Sequence, residues 1–356
     1  MGKRAKPDPV DAELPLAKYF ASSEKRVRDR ASRSLAAFLL KSAREDGLDM
    51  RDAELAKLWK GVFYCFWMSD KPLVQQALAQ ELAELVLHVA GIATNEEHAE
   101  ESDAVDGDKP LQVKKARARA LTALDFYDGF WMTIASEWHG VDKFRVNKYY
   151  LLMRRYVEAG FRLLLLHKWD SVLVKKFTSV MRGLHGPLSS NNVGMPDSIT
   201  YHVCDIYLDE LEQVVSSADE PGRVPISGLL LPLLELAATS RSKRVYDRVM
   251  SSAINPFLDA TRLDNRKKKR RRVAEASHGD DVCRFASIFA HMHADVDDGD
   301  EHDDEEDDAE LDEDARRILS IRRQTIKHAF TIASSPDAYV PSRRALYALW
   351  QSEQRT

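Results

Sequence analysis

Leu55 to Pro72 reads LAKLWKGVFYCFWMSDKP, a short run carrying two tryptophans, two phenylalanines and a tyrosine. Leu55, Trp59, Val62, Phe63 and Phe66 recur at steps of three and four residues, the spacing that lines one side of an α-helix, while Lys57 and Lys60 point elsewhere. Trp67 and Tyr64 widen that side into a broad band. A helix apolar over so much of its circumference has to be buried, and at about 1.5 to 3 kcal/mol for each large side chain it anchors a core. Ser69, Asp70 and Pro72 then supply a side-chain oxygen and a first-turn proline, the punctuation of a tight corner between two helices.

The rest of the chain repeats this helical idiom. Only 15 glycines and 13 prolines stand among 356 residues, and abundant Leu, Ala, Arg and Glu favour helix over strand. Before the corner, Val27, Ala31, Leu35, Phe38 and Leu39 form a buried stripe, with Lys25, Arg26, Arg28, Arg30 and Arg33 on the wet side. After it, Pro72 to Val89 turns Leu73, Leu78, Leu82, Leu85, Val86 and Val89 inward and stops at Gly91. A long helix then runs from Val113 to about Trp138. Asp142 opens the next, in which Phe144, Tyr150, Leu151, Val157, Phe161, Leu164 and Leu165 suit burial. Asp170 begins another. Asp197 to Val215, Pro225 to Ala238, Lys243 to Leu258, Asp281 to His293, Leu311 to Ile332 and Ser342 to Ser352 complete the series.

The spacing predicts an all-α, HEAT-like superhelix of paired helices, although no strict sequence repeat is visible. Its expected divisions are a basic tail (1–13), an N-terminal array (14–184), a second part after the turn-rich HGPLSSNNVGMP (185–260), a basic then acidic linker containing a short helix (261–314), and C-terminal helices (315–356).

Two aromatic blocks carry a resemblance. WKGVFYCFWMSDKP and, from Phe126 to Val157, FYDGFWMTIASEWHGVDKFRVNKYYLLMRRYV are similar to the hallmarks of the nucleolar ribosomal-RNA-processing protein one family, from about Leu16 to Leu234. The resemblance implies a non-enzymatic nucleolar scaffold of large (60S) ribosomal subunit assembly. It implies work on the 27S precursor around the second internal spacer, with pre-60S particles, pre-rRNA, ribosomal proteins and other assembly factors as partners. A helical-repeat adaptor of nuclear transport or chromatin is the alternative on architecture alone. Trp59, Phe63, Phe66, Trp67, Trp131 and Trp138 are the core signature.

Charge is distributed in blocks. Asp295 to Asp314 holds 15 Asp or Glu and no Lys or Arg, so the formal charge of -5 becomes about +10 for the remainder. Asn95 to Lys109 is a second acid-rich stretch and reads as an exposed loop. Arg266, Lys267, Lys268, Lys269, Arg270, Arg271 and Arg272 form an unbroken cationic run, suited to an importin-read nuclear address or to phosphate contact. Lys114, Lys115, Arg117, Arg119, Lys143, Arg145, Lys148, Arg154 and Arg155 are the candidate contacts to rRNA phosphates.

Catalysis finds no constellation. Glu137, His139 and Asp142 lie at a helix end, where such residues serve as caps. His291 and His293 are too few for a metal site, and P-loop, GxSxG and HExxH motifs are missing. Cys65, Cys204 and Cys283 are widely spaced reduced thiols. No cofactor, small-molecule substrate or membrane contact is expected, and the expected location is the nucleolus within the nucleus. Neutralising Arg266 to Arg272 is expected to reduce nuclear retention of a fluorescently tagged chain; unchanged localisation by microscopy would remove the address reading.

Overall fold

The fold is taken from a computed structural model, in which the described residues are 19–20, 24–45, 52–93, 109–190, 194–262, 284–293 and 313–354. Both acid-rich stretches, apart from their helical ends, and the whole cationic run Arg266 to Arg272 lie outside them, as does Cys283.

The described chain is all α. Its helices are α1 (Lys25–Glu45), α2 (Asp52–Trp67), α3 (Pro72–Val89), α4 (Lys109–Glu137), α5 (Val146–Leu166), α6 (Ser171–Arg182), α7 (Asp197–Ser216), α8 (Ile226–Thr239), α9 (Lys243–Val249), α10 (Asn255–Ala260), α11 (Ala286–His291), α12 (Glu313–Ala333) and α13 (Val340–Glu353). A π-helical turn, Met250–Ile254, joins α9 to α10 into one rod. Among the described residues the sole β feature is a bridge between Val224 and Met292.

Successive helices alternate between two layers. α1, α3, α5, α7 and the α9–α10 rod pack side by side in one; α2, α4, α6, α8 and α12 do so in the other, with α13 against α12. This is the arrangement that a superhelix of paired helices requires. Between the layers one continuous apolar core runs from Phe20 to Leu346.

Alternation has a geometric consequence. The α2–α3, α4–α5, α6–α7, α8–α9 and α12–α13 connections fall on one edge, stitched by Lys148 Nζ donating to Ser69 O (2.8 Å), Trp138 Nε1 to Ser198 Oγ (3.0 Å), Thr239 Oγ1 to Ser190 Oγ (2.8 Å) and Tyr339 N to Ala238 O (2.8 Å). These connections make up the first edge. The opposite, second edge is joined by Arg117–Asp170, by Trp169 Nε1 donating to Pro221 O (2.7 Å) and by Val224 N donating to His291 O (2.8 Å). The residues flanking 94–108, 263–283 and 294–312 belong to the second edge.

The C-terminal helices dock on this chain. Arg322 of α12 is buried; its guanidinium donates to Leu258 O and Thr261 Oγ1 at the end of α10 and grips both Glu353 carboxylate oxygens on α13. Ser227 Oγ on α8 donates to Gln324 Oε1 (2.6 Å). Burial works to raise the Glu353 carboxyl, but the Arg322 and Arg262 guanidiniums outweigh it and hold the group below its ordinary value.

Several sequence expectations need correction. The corner before Pro72 is not closed by a side-chain N-cap: Lys71 occupies the N-cap without a side-chain bond, while Ser69 Oγ donates back to Phe66 O (2.7 Å). Asp142 precedes a turn, and the helix starts only at Val146. Phe38, Leu73 and Phe144, expected inside, are 52%, 79% and 83% exposed. Leu73 and Phe144 sit within two residues of a helix start, where the chain has not yet settled into the stripe. Arg28, expected on the wet side, is buried and donates to Met68 O (3.3 Å).

The core depends on close approach between α2 and α4. A Cβ added at Gly129 would meet Trp59 Nε1 at 2.5 Å and Cδ1 at 2.7 Å, so only glycine admits the indole. Gly129→Ala is expected to lower stability by about 1 to 3 kcal/mol by overpacking, against alanine's better helix propensity, as read from the urea midpoint.

Candidate interaction surfaces

The two aromatic blocks form a single seam. Trp59 of α2 is 1% exposed; its indole donates to Phe126 O (3.1 Å), and its ring lies 4.5 Å from Phe126, 5.8 Å from Phe130 and 5.6 Å from Tyr156, centroid to centroid. Phe63 stacks on Tyr149 at 4.7 Å, and the Tyr149 hydroxyl donates to Phe63 O (3.1 Å). Trp59, Phe63, Phe66 and Trp131 are buried; Trp67 and Trp138 are partly so, packed against the core rim. These rings are spent on packing.

At the end of this seam the last carbonyls of α2 need donors that its own backbone cannot supply. Lys148 of α5 provides them, its Nζ reaching Trp67 O (2.7 Å) and Ser69 O (2.8 Å), with Arg28 of α1 on Met68 O. Three helices thus meet at one helix terminus, whose dipole favours cations. Burial, then the nearby Arg145 charge, depresses the Lys148 ammonium to about 8.

Most of the cations nominated for phosphate contact prove to be engaged elsewhere. Lys148 is buried, which corrects its placement on a cationic face. Arg154 pairs with Glu210 of α7, a carboxylate only 1% exposed, and approaches Asp209 at 3.9 Å. Burial raises the Glu210 carboxyl above its ordinary value, with the Arg154 charge opposing. Arg155 pairs with Glu158 (2.7 Å), Arg117 with Asp170 (2.5 Å), and Arg145 with Asp142 while lying 4.6 Å over the Trp67 ring. Arg119 is half-buried on α4. Lys114 and Lys115 at the start of α4, and Lys143 after its end, are exposed. At 1.5 Å per residue the two groups stand roughly 35 Å apart, on opposite edges, and form no common patch.

The partner stripe was readable. DSITYHVCDIYLDELEQVVS places Asp205, Asp209 and Glu212 on one side of α7 at helical spacing. There Asp205 holds Arg248 and Ser252, Asp209 holds Arg284 (3.2 Å), and Glu212 accepts from Ser287 N and Ile288 N, both at 2.8 Å, capping α11. Exposed Phe144 was missed because its spacing matches the α5 stripe.

The helix-end carboxylates and histidine have structural partners or face solvent. Glu137 accepts from Tyr64 OH (3.2 Å) and pairs with Lys60 (3.1 Å), and Asp142 Oδ1 accepts from Phe144 N (2.8 Å) and Arg145 N (3.1 Å). His139 is exposed. His293 N donates to Val224 O (3.0 Å), beside the Val224–His291 bond. Burial pushes the Cys65 thiol up to about 12, and the Cys204 thiol also rises for that reason. Among the described residues no group of three His, Cys, Asp or Glu is placed to hold a metal, and no helix is long and apolar enough to cross a membrane. A cleft of about 710 Å³ opens on the first edge between the α6–α7 and α12–α13 connections, lined by Ser189, Thr239, Arg241, Asp337 and Tyr339.

Fold and surfaces together define a helical-array protein whose aromatic blocks maintain the stack and whose edges face outward. The chain belongs to the Nop52 family: residues 11–325 match the family described as nucleolar protein Nop52. That match continues well beyond Leu234, where the resemblance read from the blocks fades. The chain is 36% identical over 205 residues to human ribosomal RNA processing protein 1 homolog B, covering 57% of this chain and 23% of the relative. It is 33% identical over 252 residues to the mouse homolog B, covering 70% and 30%, and 28% identical over 279 residues to the mouse homolog A, covering 77% and 50%. It thus spans between about a quarter and a half of the length of these relatives.

Lys148→Met is expected to destabilise by about 2 to 4 kcal/mol, because carbonyls at the end of α2 lose a charge-assisted donor. Because the folded-state value lies below the ordinary 10.5, the unfolded chain binds more protons between about 8 and 10.5. Stability conferred by Lys148 is therefore greatest above that window and declines as pH drops from about 10.5 to about 8. Urea titrations across pH 7.5 to 10.5 should show the wild-type advantage over K148M widening with pH; a constant difference would contradict the linkage.

Proposed function

We propose that this chain is a non-enzymatic nucleolar scaffold of ribosome biogenesis, acting in ribosomal-RNA processing during assembly of the large subunit. The observation that carries the reading is the family match over residues 11–325, joined by relatives named ribosomal RNA processing protein 1 homologs. In this reading the pre-60S particle, pre-rRNA, ribosomal proteins and other assembly factors are its partners, and maturation of the 27S precursor around the second internal spacer is the step it supports.

The architecture suits such work. A two-layer array offers long edges along which several partners can be held in register, and the energy of its aromatic seam goes into rigidity. Lys114, Lys115 and Lys143 remain candidate phosphate contacts. Arg266 to Arg272, with flanks on the second edge, would act either as the nuclear address or as a contact to RNA backbone. The boundaries near residues 185, 261 and 315 are retained as proposed divisions of the array.

Sucrose-gradient sedimentation of a tagged chain is the test. Co-migration with precursor large subunits, abolished when pre-rRNA synthesis is blocked, is expected. A purely chromatin-bound or cytoplasmic distribution would instead favour a helical-repeat adaptor and overturn the scaffold reading.

A further inference from the structure

Phe144 is the most exposed large apolar side chain among the described residues, at 83%. It is held in that position. Asp142 Oδ1 accepts from both the Phe144 and Arg145 amides and its other oxygen pins the Arg145 guanidinium, while Arg145 is itself laid over the Trp67 ring. These bonds pin the backbone of the turn, and so the point from which the ring projects into solvent. Lys143 Nζ stands 5.1 Å from the ring centroid, exposed, with no carboxylate partner among the described residues.

Its place in the array extends the feature. Phe144 lies on the first edge, where Lys71 at the start of α3 and Arg241 and Arg244 at the start of α9 are also exposed, none with a carboxylate partner among the described residues. Same-layer helices are spaced at about 10 Å, so from α3 to α9 these cations follow the edge for roughly 30 Å. A row of unpaired cations, interrupted by exposed Asp70 and Asp197, with one exposed aromatic ring among them matches the demands of an unpaired polynucleotide: phosphates need cations along a track, and a splayed base needs a flat apolar face.

We infer that the first edge is a track for unpaired RNA, with Phe144 stacking a base and Lys71, Lys143, Arg241 and Arg244 contacting phosphates. This deepens the scaffold reading and rests on it for the nature of the polymer. An apolar protein partner would use the ring without needing its π face, and that difference makes the two separable.

The experiment uses the full chain and a short labelled uridine-rich RNA, read by fluorescence anisotropy over a salt series. Phe144→Ala is expected to weaken binding roughly five- to hundredfold, the range for removal of one base stack, with Tm unchanged because the ring makes little of the core. Phe144→Leu, which keeps apolar bulk without the π face, should weaken it nearly as much. K143Q, R241Q and R244Q together should flatten the dependence of log affinity on log salt by about 0.7 for each phosphate no longer neutralised. RNA affinity unchanged in F144A, or retained in F144L, overturns the stacking assignment. If F144A loses only co-sedimentation with the particle while binding RNA normally, the ring docks a protein and the inference fails while the scaffold reading stands. If the wild-type chain binds RNA through Phe144 yet never co-sediments, the scaffold reading fails and the track survives.

Discussion

A helix that ends inside a protein leaves carbonyl oxygens that must find donors, and the end of α2 is the point at which this chain meets that requirement. Desolvating an ammonium to satisfy two carbonyls is costly, as the depressed Lys148 value reflects. The cost is offset by what the contact organises: with Arg28, Lys148 fixes α1, α2 and α5 at one terminus. The Trp59 indole, seated over Gly129, then sets the separation of α2 and α4. The helices as far as α9 inherit their layers from those first placements, because each packs on the helix two before it, and α12 then extends the second layer by packing on α8.

Much of this was legible from residue order. The apolar steps from Leu55 to Phe66 identify a buried helix, and the absence of alternating patterns points to the helical class. What escaped was partnership. Arg154 and Arg155 look like a wet cationic side because periodicity reveals which residues share a face and not what that face meets; α7 brings Glu210 against Arg154, while Arg155 finds Glu158 on its own helix. Lys148 was obscured for a related reason, since a lysine set between Asn147 and Tyr149 gives no hint that it caps another helix some eighty residues away. Phe144 fits the helical stripe in spacing but falls in the turn ahead of it.

The two edges divide the labour of the molecule. On the second lie the described residues that flank three stretches of extreme charge, 94–108, 263–283 and 294–312. On the first, the connections are tied by hydrogen bonds, and it is here that exposed cations and an unburied ring coincide. A surface meant for recognition is better built on such braced corners, where binding sacrifices little ordering entropy.

The docking of α12 and α13 carries one more implication. Because Arg322 locks α12 to the end of α10 and to Glu353, and Ser227 meets Gln324, the last two helices are held to the array by contacts that do not depend on the covalent link ahead of α12. A protease that cut within residues 294–312 would sever the covalent chain without freeing the last two helices, and gel filtration of such a nicked protein would find both fragments travelling together.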